Sequence, residues 1–564
     1  MKKKLYLTIA LLAAPAVCGA ATYADIIDGT VYYDTSATSC EDVTAGDTAS
    51  DLEGAQSAAG VAGYLTICPG DYVGTALASD SSMLLTKAGL TITVMGGATL
   101  DSDGVGANVI VATGIDNVTI LGGGIVTGAT ATGIKNTEGD SWEITGVTTT
   151  LNGLYGVLFM ADDGTITDLN IHHMTSTYNG SATPLGAQIY LEAKTTAESY
   201  IGGVINISDN TLSSQYTPTV IGRHAIAVYP ATGYVDGSQM TIMRNSGSGF
   251  DYSPILFAKD VNGGDVGFNT FYDCSANLIH FGGTAATAGH YTRNINAHDN
   301  ILYDTKLDGG TDSSGILFDA YSENNATSRN RISNYGESCL KYNYSSGNVS
   351  DHDVCINLKS DGVSDAVLEF RGTTGLYSGP SSSNIVYNLT AIHSGDTNSQ
   401  AGIYAYGQSG EAGANIVSSS IFINPDGGDS LVGVLVQDDA VLTEDHNVFY
   451  NFPTDANGHT LAETDITDNP YLSTTGKPTA KSPTAVKRGG LLLDGYASIA
   501  GKWNYMGAYP YYEGTITLWN IALSIMGGPG RLGGGKIYDE SGSYMLMEAG
   551  DYMLTETGDK MVME

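Results

Sequence analysis

Five side chains spread over 92 positions have types that could do chemistry together: His280, Asp319, Lys341, Glu369 and Arg371. An imidazole, two carboxylates, an ammonium and a guanidinium on one surface can neutralise a substrate carboxylate and take a nearby carbon-bound proton, which is what β-elimination requires. Two carboxylates alone can instead hydrolyse a glycosidic bond, their separation setting the stereochemical outcome. Asp319 and Glu369 are the obvious pair for that. Tyr229, Tyr404 and Tyr406 could stack on sugar rings, and Asn343 could hydrogen-bond them. The same residues also fit an ordinary solvent-exposed ladder of alternating charge, so composition alone leaves both readings open.

What would bring them together is a recurring phrase between residues 89 and 468. A Gly or small residue precedes an apolar-x-apolar triplet, as at Gly156-Val157-Leu158-Phe159, Gly315-Ile316-Leu317-Phe318, Gly402-Ile403-Tyr404-Ala405 and Gly433-Val434-Leu435-Val436. Looser copies open at Ile189, Ile226, Ile255, Ile279, Leu340 and Leu368. A second series, Asn210, Asn245, Asn269, Asn300, Asn330, Asp353, Asn388, Ser420 and Asn447, falls between them at steps of 23 to 35 residues. Short alternating strands at such a period, with almost no helical pattern, predict an all-β solenoid of stacked coils with loops of variable length. If the apolar members of each triplet point inward, the residue between them and the one after point out. His280, Asp319, Lys341, Glu369 and Arg371 then share one outer face within about 15 Å, at ~4.8 Å per coil. The Asn series reads as structural, each amide satisfying backbone groups at the same corner of the next coil.

The repeated phrase resembles the right-handed parallel β-helix of the pectate-lyase-like superfamily, over roughly two thirds of the chain. That resemblance implies a substrate groove along the sheet of Gly-Ile-x-apolar strands. It further implies that Asp319 and Glu369 would hold Ca²⁺ or orient a base, with Lys341 or Arg371 as that base. The Trp-Ile-Asp-His strand of one pectate lyase group is absent. So is the Asn-Thr-Asp, Asp-Asp and Gly-His-Gly set of the polygalacturonases. Fold alone supplies no activity.

The remaining chain reads as packaging for the coils. Residues 1–20 have the basic start, short apolar run and small-residue end of a secretory signal, and that run is too short to cross a bilayer. Residues 21–88 read as an N-terminal cap, with one helix within Thr48 to Gly60 followed by Tyr64-Leu65-Thr66-Ile67-Cys68-Pro69-Gly70. A cap covers the strand edges that an open first coil would expose. Residues 469–513, through Asn469-Pro470-Tyr471-Leu472, Ser482-Pro483 and Met506-Gly507-Ala508-Tyr509, resemble the terminal closure of secreted bacterial β-helix proteins, although Asn469 and Pro510 depart from the usual Asp and Glu. Residues 514–564 hold a Gly-rich hinge and an eight-residue Gly-Asp-apolar repeat, a small β-meander suited to self-association or docking.

Cys40 and Cys68 flank the cap and form the expected disulfide of an exported protein. Cys274, Cys339 and Cys355 are expected as buried thiols. With 60 acidic and 24 basic residues and a net charge of −36, the chain is a poor ligand for nucleic acid or an anionic membrane. The expected partner is a polysaccharide or surface glycan, met by a secreted or cell-surface protein. Whether the protein also cleaves it, as a Ca²⁺-dependent lyase or less readily a glycoside hydrolase, or serves as an adhesin or phage appendage, stays open at this level.

Overall fold

The computed structural model describes residues 21–61, 63–180, 186–194, 196, 198–214, 223–282, 291–305, 313–358, 366–372, 381–393, 401–407, 415–425, 431–438, 440–472, 477–479, 481–483, 486 and 506–508, and short strands of the tail between 536 and 561. The expected signal segment, residues 1–20, and the expected glycine-rich hinge lie outside the described residues. The chain divides into two compact units, Met1–Tyr511 and Tyr512–Glu564.

The first unit is a single right-handed parallel β-helix. Each coil runs through three short strands, and like strands stack into three sheets. In the first coil these are Tyr64–Ile67 (sheet 1), Gly70–Val73 (sheet 2) and Met83–Leu85 (sheet 3). Sheets 2 and 3 each hold 14 strands, ending at Val448–Tyr450 and Thr454–Asn457. The first coil therefore opens inside the segment read as a cap. Ahead of it, Ala21–Ile27 and Thr30–Asp34 form an antiparallel hairpin, and Ala21–Ile27 also pairs with Tyr64–Ile67. Within the stretch read as helical, Thr48–Ser50 is a strand and the helix is Leu52–Ala59, with the Asp51 carboxylate capping the Gly54 amide. Leu52 and Ala55 bury its inner face, and Gln56 Oε1 accepts from the Thr86 amide at 2.7 Å, which pins the helix to the first coil.

Alternation decides what fills the coils. Leu65, Ile92, Ile120, Ile144, Ile171 and Ile207 line the inside of sheet 1. Phe257, Phe281, Phe318, Tyr342 and Phe370 stack inside sheet 3 with centroids 4.7 to 5.8 Å apart. The Gly before each triplet faces inward where a side chain does not fit: a Cβ on Gly315 would lie 2.4 Å from Ile332 and 2.7 Å from the Cys339 carbonyl.

At the corner between sheets 1 and 2 the amides form the expected ladder. Asn210, Asn245, Asn269, Asn300 and Asn330 each donate from backbone N and Nδ2 to the side-chain oxygen one coil on, ending at Asp353. Asn388 is not its next rung. Thr390 pairs with Val354, so Leu389 holds that place and its amide donates to Ser420 Oγ at 3.1 Å. Asn388 is the left-handed residue just before it (φ 53°). A second ladder, unread in the sequence, joins Asn325, Asn348, Asn384 and Asn415.

Cys40 and Cys68 form the expected disulfide. Cys339 and Cys355 correct the expectation of buried thiols: both face inward, from sheet 3 and sheet 2, with Cα atoms 5.9 Å apart, and they form a second disulfide across the core. Cys274 belongs to neither and packs its Sγ 3.4 Å from the Tyr272 carbonyl. Residues Val486 and Met506, from the expected closure, pack with Ile421, Ile423 and Val448 on the outside of sheet 2.

In the second unit, Lys536–Tyr538, Tyr544–Met547, Met553–Leu554 and Lys560–Met561 form a four-stranded antiparallel sheet in sequence order.

Candidate functional site

Sheet 3 carries the residues singled out for chemistry, and its register lines them up. Leu256, His280, Leu317, Lys341, Glu369, Tyr404 and Leu435 occupy one outward column. Two residues further along each strand, Asn343, Arg371, Tyr406 and Gln437 form a second, with Asp319 beside Asn343. Their neighbours Leu340, Tyr342, Leu368 and Phe370 are in the core, so the inside–outside alternation holds.

Outward does not mean exposed here. The side chains of Lys341 and Glu369 are fully buried, whereas Arg371 keeps 27% of its side chain exposed. An exposed charge ladder is thus not what the face presents. Elsewhere on it, Tyr155, Leu158, Met160, Tyr190 and Leu256 form their own buried apolar cluster, as do Ala366, Ala401, Tyr404 and Leu435.

Two groups form within the charged stretch. In the first, Lys341 Nζ donates to Glu337 Oε1 at 2.7 Å and lies 3.9 Å from Glu369 Oε2. Arg371 bonds Glu369 through Nε and approaches Glu337 Oε1 at 3.3 Å, and Ser338 Oγ donates to Glu369 Oε2 at 3.1 Å. Two cations and two carboxylates neutralise one another, the condition for burying any of them. In the second group, His280 Nε2 lies 3.4 Å from Asp319 Oδ2, and Asn343 Nδ2 donates to Asp319 Oδ1 at 2.8 Å. Burial alone would raise the Asp319 carboxyl. The imidazole beside it, the Ala320 N–H and the Asn343 amide outweigh that and hold it below its ordinary value. The Tyr252 ring stands between His280 and His224. Burial pushes His224 down to about 3, so that imidazole is neutral, and its Nδ1–H donates to the Ser253 carbonyl at 2.7 Å.

Tyr404 and Tyr406 adjoin the first group, ring centroids 6.1 Å apart, with Tyr404 Oη donating to Gln437. Tyr229 does not join them. It is five coils before Arg371, roughly 24 Å along the axis, where it stacks on Tyr190 and receives Lys259 over its ring. Glu337 escaped the sequence reading because it sits in the turn before Leu340–Asn343, where alternation assigns no face. Its position four before Lys341 was the available signal.

The expected calcium ligands do not fit that ion as they stand. Glu369 is engaged by Arg371, Ser338 and Lys341, and Asp319 by His280 and Asn343. Ca²⁺ takes six to eight oxygens, whereas Glu369 faces two cations and a hydroxyl, and Asp319 an imidazole and N–H donors. Among the described residues no group of three or more His, Cys, Asp or Glu is arranged to hold a metal. Lys341 would have to break its contact with Glu337 before acting as a base.

No protein-family model and no curated protein matches the chain. Among solved structures, it is similar to the tailspike protein of E. coli bacteriophage HK620, a double mutant in complex with a pentasaccharide, at 11% identity over 74% of this chain and 73% of that one (TM-score 0.43). It is similar to the family 28 exopolygalacturonase of Yersinia enterocolitica at 10% identity over 76% of each chain (TM-score 0.37), and to pectate lyase Pel9A at 9% over 82% and 91% (TM-score 0.30). These likenesses extend to the fold alone.

Proposed function

We propose that the protein binds polysaccharide along the outer edge of sheet 3, through Asp319, Asn343, Arg371 and Tyr406. The observation that carries this is their column. Adjoining coils present a carboxylate, a carboxamide, a guanidinium and a phenol in line, and the partners of Arg371 and Asp319 lie buried beneath them. Sugar hydroxyls need donors and acceptors whose positions are fixed before binding, since ordering them on contact costs affinity. Glu337 and Glu369 supply that for Arg371, and Lys341 balances their charge. Two disulfides fit work outside a reducing cytosol, as a secreted or surface protein. Among the described residues no helix is long and apolar enough to cross a membrane.

A catalytic reading has one specific support, the His280–Asp319 contact, in which a carboxylate could orient an imidazole base. It requires the burial of His280 to be relieved when substrate binds.

The test is a glycan panel with wild type, Arg371→Ala and Tyr406→Ala, with and without chelator, scored for binding, new reducing ends and ultraviolet absorbance of an unsaturated product. Binding that falls about tenfold or more, 1.4 kcal/mol, in Arg371→Ala and survives chelation is expected. Binding unchanged in both variants sinks the assignment of this face. Calcium-dependent product formation lost in Lys341→Ala would restore the lyase reading.

A further inference from the structure

The outside of sheet 2 carries two rows of hydroxyls. The successive strands Thr148–Thr150, Thr175–Thr177, Thr211–Ser213 and Ser246–Ser248 each point two hydroxyls outward, half-buried or exposed, from their first and third residues. Pairing is in register throughout: Thr148, Thr175, Thr211 and Ser246 form one row, and Thr150, Thr177, Ser213 and Ser248 the other. Flanking strands extend the rows with Ile125 and Thr127 on one side and Thr270 and Tyr272 on the other.

Between Asp101 and Arg331 the first and third positions carry no acid or base, in a chain of net charge −36; Asp273 and Asp304 follow them as the left-handed fourth residues of two flanking strands. Where the same face is covered by protein its composition changes. Ile421, Ile423 and Val448 point outward under Val486 and Met506, and Thr390 Oγ1 accepts from the Ala508 amide at 2.7 Å. Among the described residues, the closing segment meets Ile421, Ile423, Val448 and Thr390, and the rows of Thr and Ser are left half-buried or exposed.

We propose that this hydroxyl face is an ice-binding surface. The backbone repeats are about 4.8 Å between coils and about 6.7 Å between first and third residues, of the order of the repeat distances on faces of hexagonal ice. Thr is stiff at χ1, which restricts the poses of its methyl and hydroxyl; Thr177 Oγ1 donates to Thr150 Oγ1 one coil back, at 3.2 Å, closer than the backbone spacing. A prearranged net can hold water in lattice positions at little entropic cost. A neutral face is what a neutral crystal would require. A soluble glycan would instead need the directional amides and carboxylates that sheet 3 has and this face lacks. The stacked Tyr272 and Tyr303 rings, 4.9 Å apart and near-parallel along the coil axis, turn edges rather than faces outward, which disfavours stacking on sugar.

The experiment measures thermal hysteresis, ice recrystallisation and uptake of the purified full chain into growing ice. Activity in wild type, its loss in Thr175→Lys, and its retention in Val204→Lys, a like change at an exposed position of sheet 1, are expected. Completing the rows with Ser213→Thr, Ser246→Thr and Ser248→Thr should raise it, a readout that does not depend on a disruptive variant folding. Wild type that neither shapes ice nor enters it overturns the proposal. So does retention on an insoluble neutral polysaccharide that Thr175→Lys abolishes, which would assign the face to a polymer.

Discussion

Asp353 is the last rung of the long amide ladder and the only carboxylate in it, so exchanging it for Asn tests how the corner is held. It is buried, with Oδ1 accepting from the Asn330 backbone N at 2.8 Å and from Asn330 Nδ2 at 3.0 Å, and Oδ2 accepting from Thr327 Oγ1 at 2.7 Å. Burial raises the carboxyl from 3.8 to about 7, with the hydrogen bonds from Thr327 and Asn330 opposing only in part. Below pH 3.8 the group is protonated whether folded or unfolded, and the fold keeps its full stability. Between 3.8 and 7 only the unfolded chain ionises, so stability falls as pH rises and levels off above 7. The loss is about 4 kcal/mol at 1.36 kcal/mol per pH unit. Asn at 353 can keep both bonds from Asn330, donate to Thr327 Oγ1, and never ionise. Asp353→Asn should match wild type near pH 4 and exceed it by up to about 4 kcal/mol at pH 8. Because stability in stacked coils is local, hydrogen exchange of the Asn330 amide, compared between the two proteins across pH, is the assay. A variant less protected at pH 8, or a difference that does not change with pH, would refute this account of the corner.

Three further outcomes follow from buried charge and covalent links. Glu337→Gln leaves Lys341 and Arg371 sharing Glu369, and should destabilise by about 3–5 kcal/mol, read by denaturant unfolding; Lys341→Met with Glu369→Gln should cost less than the two single changes added. Replacing Cys339 and Cys355 by Ala removes the link beneath these groups and should cost about 2–4 kcal/mol, seen as exchange in Leu340–Asn343 and Val354–Leu358 while the N-terminal coils stay protected. His298 hydrogen-bonds Asp265 and Asp299, which raises it to about 9 despite burial. Its contribution should be complete below its ordinary 6.5 and vanish as pH rises through 9, so the gap between wild type and His298→Gln closes in alkali, and the imidazole resonances should titrate near that pH.

How far the sequence could be read depended on whether a property belongs to one coil or to several. The triplets were enough for the solenoid and for the facing of Lys341 against Leu340 and Tyr342, because alternation is a property of a single strand. Burial of Lys341 was not legible, since it goes with a group that Glu337 of the preceding turn and Glu369 and Arg371 of the next coil form around it. The Cys339–Cys355 link needs the cross-section of a coil, which brings inward residues of two sheets within 5.9 Å. Asn388 misled by one residue, because a corner with a left-handed position admits an Asn on either side of the turn.

The charge balance of the candidate site bears on its ligand. Lys341 and Arg371 are cancelled by Glu337 and Glu369, and Asp319 meets an imidazole, a backbone N–H and an amide. Among the described residues this group therefore holds no surplus cation to offset the field of a chain at −36. A uronate polymer approaching Arg371 would have to compete with two carboxylates that already hold it, and be repelled over about a Debye length, 10 Å at 0.1 M salt. A neutral glycan meets neither obstacle. Binding at sheet 3 should accordingly favour neutral over uronate polysaccharides, with uronate affinity rising as salt is added. Tighter uronate binding at low salt would show that a cation reaches the ligand from outside the Glu337–Glu369 group.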